Sequence, residues 1–248
     1  LREGYDTYFP NEAYWNKLKT AIALNIDGAI KTFDKADVNG DTEECETKNK
    51  TDKAFIDFLY RFRSPISHER NTHIADNANI KQIPFDSKRK RMTTFIHCED
   101  KFTETGYRLF SKGGAENVKS ICKYYVDSDT GETKELGEEQ VQYISNKIEQ
   151  FNKQMLRSLY VCYKDISESE FNNPEQVDED GKGIDQSDLV FVGVVGIRDS
   201  LRNGVKEAVK RCHTASVNVI MVTGDNIITA TAIAKDCYIL GDDVDLKN

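Results

Sequence analysis

Thr223, Gly224 and Asp225 stand in a row, and there a Thr hydroxyl, a Gly amide and the N-terminus of the helix that follows can all face an anion. They follow Val217, Val219, Ile220, Met221 and Val222, a short apolar and mostly β-branched run that reads as a strand buried on both faces. Ile227, Ala230, Thr231 and Ala234 then recur at helical spacing, so the strand is expected to pass through a tight glycine turn into a helix. In an open α/β sheet, the corner between a strand's carboxyl end and a helix N-terminus faces anions, and a phosphate fits it. Leu189 to Ile197, LVFVGVVGI, reads as another buried strand. Val205, Ala208, Val209 and Cys212 form the stripe of an amphipathic helix, so residues 188–248 are expected to build a βαβα array.

VVGIRDSLRNGV, a short helix and then MVTGDN resemble the phosphorylation domain of P-type ATPases, with the plasma-membrane type of calcium pump the nearest likeness. The resemblance implies that residues 188–248 are part of a HAD-like, Rossmann-type α/β domain and that Thr223, Gly224 and Asp225 belong to its phosphate site. The family's D-P-x-R turn is written Asp199-Ser200-Leu201-Arg202, which puts Asp199 and Arg202 near the ribose and the domain hinge; Ser200 stands where proline is usual. The nucleophile of such pumps is the aspartate of DKTGT, and carboxylates of a later GDGxND hold Mg²⁺. Neither string occurs in this sequence.

Earlier in the chain, Lys88, Arg89, Lys90 and Arg91 form a run of four cations beside an alternating strand, Met92 to Ile96, entered through Pro84. Such a run is ordinarily a solvated face. The segment IPFDSKRKRMTTFIH also resembles the family's F-x-S-x-R-K-x-M-S, whose aromatic stacks on adenine and whose lysine approaches the phosphates, here Phe85 and Lys90. Tyr107 to Lys112 reads as the hairpin partner across Gly106, ending in Lys112-Gly113-Gly114-Ala115-Glu116. Paired glycines permit a tight turn and close backbone approach to a ligand, and Val118, Ile121, Cys122 and Tyr125 mark a following helix. KGGAE resembles K-G-A-[SP]-E, whose lysine lines the adenosine pocket, so the resemblance points to Lys112 and Gly113, with Lys90 and Lys112 on a solvated pocket rim.

The elements that carry these residues are legible as helices and strands. Trp15, Leu18, Ile22 and Ile26 form one helical face. Asn49-Lys50-Thr51-Asp52 opens a helix with the stripe Phe55, Phe58, Leu59 and Phe62 and with Thr51 as expected N-cap; it resembles the family's NKTE, whose acidic residue lies near the adenine. Asp52 takes that place with a side chain one methylene shorter. Glu138 to Met155 reads as a helix buried through Val141, Ile144, Ile148, Phe151 and Met155, followed by the strand MLRSLYVCYKDI. That strand resembles the family's G-L-R-x-[LI], whose arginine reaches the phosphates, which selects Arg157 and leaves Met155 in place of the glycine. Ser167 to Asp188 is acidic and aperiodic, the composition of a solvated linker, and reads as a hinge closing a first domain over 1–187. An EF-hand loop over Asp178 to Asp188 would need a glutamate at its twelfth place and flanking helices, which this stretch lacks.

The 248 residues carry a net charge of -8, which argues against a general nucleic-acid surface and requires a local basic site for any phosphate. No window approaches the ~20 consecutive apolar residues that span a bilayer, so the chain is expected to be soluble. Six cysteines without a CxxC pair read as reduced thiols, and the scattered histidines have no metal-ligand spacing, so no metal site is expected.

The expected fold is an α+β nucleotide-binding domain, an antiparallel sheet with helices, followed by part of the HAD-like domain. By the resemblance, the parent hydrolyses ATP with Mg²⁺ through an aspartyl-phosphate and moves Ca²⁺ from the cytoplasmic face of a membrane. A pump for another cation and a non-catalytic nucleotide-binding module remain open. A phosphatase with a cap domain would need a DxDx[TV] motif, which is absent.

Overall fold

The protein is seen in a computed structural model that describes residues 11–27, 47, 49–64, 66–73, 79–98, 103, 105–177, 179, 181–198, 201–224 and 227–241. It divides into two compact units: Leu1–Glu138 with Tyr160–Gly193, and Glu139–Leu159 with Val194–Asn248.

In the first unit, helix α1 (Glu12–Ala23) starts where the Asn11 side chain accepts a hydrogen bond from the Tyr14 amide, satisfying an otherwise orphaned donor. Its expected face is buried: Trp15, Leu18 and Ile22, with Ile26 just beyond. Helix α2 (Lys50–Arg61) lays Phe58 and Phe62 against the Trp15 ring, with centroids 6.3 and 5.4 Å away. Its cap is Asn49 and not Thr51: the Asn49 side chain accepts from the Thr51 amide, so Thr51 is already inside the helix. Helix α3 (Ile66–His73) follows, and its buried Glu69 accepts from Thr20 and pairs with Lys19.

Strands β1 (Ile80–Asp86), β2 (Arg91–His97) and β3 (Tyr107–Gly114) form an antiparallel meander. The β2–β3 turn has Gly106 at a φ of 76°, the left-handed backbone that glycine adopts without a Cβ clash. Lys112, Gly113 and Gly114 continue β3 to its end, so the paired glycines do not make the turn expected of them.

A 3-10 turn (Ala115–Asn117) leads to a one-turn helix α4 (Val118–Ile121), and the chain then becomes strand β4 (Cys122–Val126), paired with β5 (Thr133–Glu135). Cys122 and Tyr125 are therefore strand residues, not the continuation of a helical stripe. The pairing partners on both sides of β4 override the helical spacing. Helix α5 (Glu138–Lys153) is followed by β6 (Leu156–Asp165) and, after the acidic segment, by β7 (Leu189–Arg198). All seven strands belong to one mixed sheet in the order β1-β2-β3-β6-β7-β4-β5, with β4 parallel to β7. The expected α+β architecture is present, but its sheet is not wholly antiparallel, and β7 lies within it instead of in a separate array.

The acidic segment is also more ordered than a solvated linker. It forms helix α6 (Glu168–Asn172), started by a reciprocal capping box between Ser167 and Glu170. Phe171 is buried and its carbonyl accepts from Lys81 Nζ at 3.0 Å. Further on, Val177 bridges Gly183 and Ile184–Gln186 forms a 3-10 turn with Asp185 buried. Cys98, Cys162 and Cys237 are buried free thiols, Cys122 and Cys212 are half-buried free thiols, and Cys45 lies outside the described residues.

In the second unit, α5 ends at Lys153, and Met155, two residues on, has a φ of 60°. Helices α7 (Val205–Thr214) and α8 (Ile227–Asp236) form where the periodicity placed them and are tied by Lys206 Nζ to Asp236 at 2.7 Å. Between them, 217–222 is not a strand. Ile220 is 83% and Val222 93% exposed. A strand is made by its ladder, and among the described residues none of the seven strands of the sheet pairs with this segment. The βαβα array expected over 188–248 is therefore not formed as such.

Candidate functional site

Register alone assembles one end of the meander. Asp86 is opposite Arg91, and Arg91 is opposite Gly113, so β1, β2 and β3 end together. Phe85 precedes Asp86, Lys90 precedes Arg91 and Lys112 precedes Gly113. Two motifs, one carrying Phe85 and Lys90 and the other Lys112 and Gly113, thus reach the same sheet end.

The turn from Asp86 to Lys90 is built by the Asp86 carboxylate, whose Oδ1 accepts from the Lys88 and Arg89 amides at 2.8 and 3.0 Å. Those two bonds, Arg89 first, hold its carboxyl below the usual range. Lys90 has a φ of 53° and its amide donates to the Asp86 carbonyl at 2.7 Å. Its ammonium is largely exposed, with Glu116 at 3.7 Å. Phe85 is 58% exposed, an unusual place for a phenyl ring in a folded domain.

The missing side chain of Gly113 matters for close approach between strands. A Cβ there would lie 2.5 Å from the Lys90 carbonyl oxygen and 2.9 Å from the Tyr160 ring. At Gly114 a Cβ would meet only the flexible carboxylate of Glu116, so the family's alanine would fit once Glu116 moved.

Side chains alternate across β2 and β3, so the two faces carry different chemistry. On one face Lys112 Nζ pairs with Asp52, 60 residues away, and donates to the Asn25 carbonyl at 2.5 Å. Asp52 Oδ2 also accepts from the Asp27 amide at 2.8 Å. Lys112 is 7% exposed and Asp52 fully buried, so the expectation that Lys112 sits on a solvated rim is wrong. Desolvation lowers the Lys112 amine below its ordinary value, against the opposing pull of Asp52. Thr94 donates to Asn25 Oδ1, while Asn25 Nδ2 is buried with no acceptor among the described residues. The opposite face carries Arg91, Thr93 and Ser111. Ser111 shares a hydrogen bond with Tyr160, whose hydroxyl burial pushes well above its ordinary value.

Asn25 and Asp185 were not singled out by sequence. Asn25 follows an apolar helical face and Asp185 is one acid among many, so neither carries a pattern of its own. Arg157, Arg202, Thr223 and Gly224 belong to the second unit and are exposed. Thr223 and Gly224 lie outside helices and strands. Asp199 and Asp225 lie outside the described residues.

Residues 15–204 match the family described as P-type ATPase, cytoplasmic domain N. The chain belongs to the P-type ATPases. It is 39% identical over 175 residues to calcium-transporting ATPase 2 of Saccharomyces cerevisiae, covering 66% of this chain and 15% of that protein. A putative calcium-transporting ATPase 7, plasma membrane-type, of Arabidopsis thaliana is 37% identical over 233 residues, 94% of this chain and 21% of the relative. Calcium-transporting ATPase PAT1 of Dictyostelium discoideum is 36% identical over 163 residues, 65% and 13% of the two chains. This P-type ATPase chain thus spans about a fifth or less of the curated relatives cited, and no helix among its described residues is long and apolar enough to cross a membrane.

Proposed function

We propose that this chain is the adenine-nucleotide-binding part of a P-type ATPase that drives Ca²⁺ across a membrane from its cytoplasmic face. The observation that carries the reading is the common end of β1, β2 and β3, which Phe85 with its exposed ring, Lys90 and the Lys112–Gly113 pair all reach along the backbone. An exposed ring and a cation at one sheet end suit a base carrying phosphates. In this reading Phe85 stacks on adenine, Lys90 faces the phosphates, and Lys112 with Asp52 forms a buried wall of the adenosine pocket. The unpartnered Asn25 amide beside that wall is a donor available to a ligand or a water. Arg157, Asp199 and Arg202 would approach the phosphates and ribose, and Thr223, Gly224 and Asp225 the transferred phosphoryl group, when the second unit takes its HAD-like form. Calcium is favoured over other cations by the names of the relatives.

Among the described residues no group of three or more His, Cys, Asp or Glu side chains is placed to hold a metal ion.

Titration of the ¹⁵N-labelled chain with ATP and with AMP tests the reading. Phe85→Ala is expected to weaken both alike, by ~1–3 kcal/mol, because a base stacked on a ring leaves water. Lys90→Ala is expected to weaken ATP more than AMP, with the gap shrinking as salt is raised. Unchanged affinities in Phe85→Ala would move the adenine elsewhere.

A further inference from the structure

We propose that Asp185 is a positioning residue for Lys90, a deepening that rests on the nucleotide reading above. Its Oδ2 takes donors from Arg89 Nη2, from Arg91 Nε at 3.2 Å and from the Thr93 hydroxyl at 2.5 Å. Arg89 and Arg91 flank Lys90, so one carboxylate from a segment 96 and 94 residues downstream grips the turn on both sides of the residue meant to face phosphate.

Lys90 itself is held in left-handed backbone, a conformation that a residue with a side chain keeps only where its surroundings over-determine it. Its amide donates to Asp86, its carbonyl accepts from the Gly114 amide at 3.2 Å, and the absent Cβ of Gly113 leaves room for that contact. The Asp185 clamp completes the set from the face of the sheet that carries Arg91 and Thr93. Asp185 is 4% and Arg91 8% exposed, too buried to touch a ligand, so they act through the turn. The burial of Arg91 also weighs against the opposite idea, that the carboxylate occupies a phosphate site and must leave before ATP enters.

The test is the ATP-to-AMP affinity ratio of the 248-residue chain in wild type, Asp185→Asn, Asp185→Glu, Lys90→Ala and the Asp185→Asn/Lys90→Ala pair. Asp185→Asn keeps the shape and removes the charge that grips two guanidinium groups. It is expected to lower ATP affinity about threefold to tenfold, with AMP within about twofold, the scale of one misaimed exposed charge contact. Asp185→Glu is expected to restore part of the loss, and Asp185→Asn should have no further effect once Lys90 is alanine.

A merely structural role would weaken ATP and AMP together and add to the Lys90→Ala effect; that result, or a gain in ATP affinity, overturns the proposal. Should Asp185→Asn fail to fold, Arg89→Gln removes one grip while leaving the Asp185–Arg91 pair, and the same loss of ratio is expected. If wild type prefers ATP and neither variant moves the ratio, only the positioning role falls. If wild type binds neither nucleotide, the nucleotide reading falls and takes this one with it.

Discussion

Lys112 shows how a residue found by motif can do a different job from the one its type suggests. An ammonium on a pocket rim would be worth ~1 kcal/mol or less to a phosphate. Buried against Asp52 and the Asn25 carbonyl, it is instead part of what holds β3 to α2 and to the chain after α1. Removing it strands a fully buried carboxylate, so Lys112→Ala is expected to lower unfolding free energy by about 3–5 kcal/mol. Replacing both partners, as in Asp52→Leu/Lys112→Met, should cost much less, since no charge is left unpaired. Urea denaturation of the single and double variants checks this. Equal losses in the two would show that the ion pair is not the source. The motif match selected Asp52 and Lys112 separately; that they touch could not be read from a separation of 60 residues.

At the scale of elements, the end of α5 explains a departure from the family pattern. Met155 takes the place of a glycine, and its φ of 60° is the left-handed backbone that closes the helix. An L-residue there is disfavoured by about 1–2 kcal/mol, while glycine gives back roughly 0.4–1 kcal/mol through the freedom of its unfolded chain. Met155→Gly should therefore be neutral to stabilising by up to about 1 kcal/mol, and Met155→Val, β-branched in the same backbone, destabilising by more than about 1 kcal/mol. Thermal melts of the two variants decide it; a Met155→Gly variant much less stable than wild type would mean that the Met155 side chain matters more than its backbone. Gly113 presents the reverse case. Gly113→Ala drives a Cβ into the Lys90 carbonyl and the Tyr160 ring, with an expected cost of about 1–3 kcal/mol in urea unfolding and amide shifts throughout Asp86 to Lys90. A melt and spectrum like wild type would show that β2 and β3 are not in close contact there.

For the whole chain, chemistry is bounded by the reactive groups its sequence holds. Phosphoryl transfer to protein needs an attacking carboxylate, and DKTGT does not occur in this sequence. Incubation with γ-labelled ATP and Mg²⁺ followed by acid quench is expected to leave no hydroxylamine-labile label on the 248-residue chain, even where nucleotide binds. Labelled protein would show that another carboxylate serves, with Asp225 the first to replace.

Amphipathic period and alternation were sufficient, from sequence alone, to place α1, α2, α5, α7 and α8 and the β2–β3 hairpin, while motif resemblance named Phe85, Lys90, Lys112 and Asp52 as candidates and β1 was not foreseen. These are local properties: a helical stripe or an alternating strand is written in neighbouring residues. What tertiary structure decided was every feature that depends on a distant partner. The stripe from Val118 to Tyr125 broke into a strand because β5 and β7 were there to pair with it. The acidic segment, aperiodic and charged, became ordered because Lys81 donates to its Phe171 carbonyl and two arginines donate to its Asp185 carboxylate. Conversely, 217–222 has all the residues of a buried strand and is not one, since a strand exists only with a neighbour to complete its hydrogen bonds.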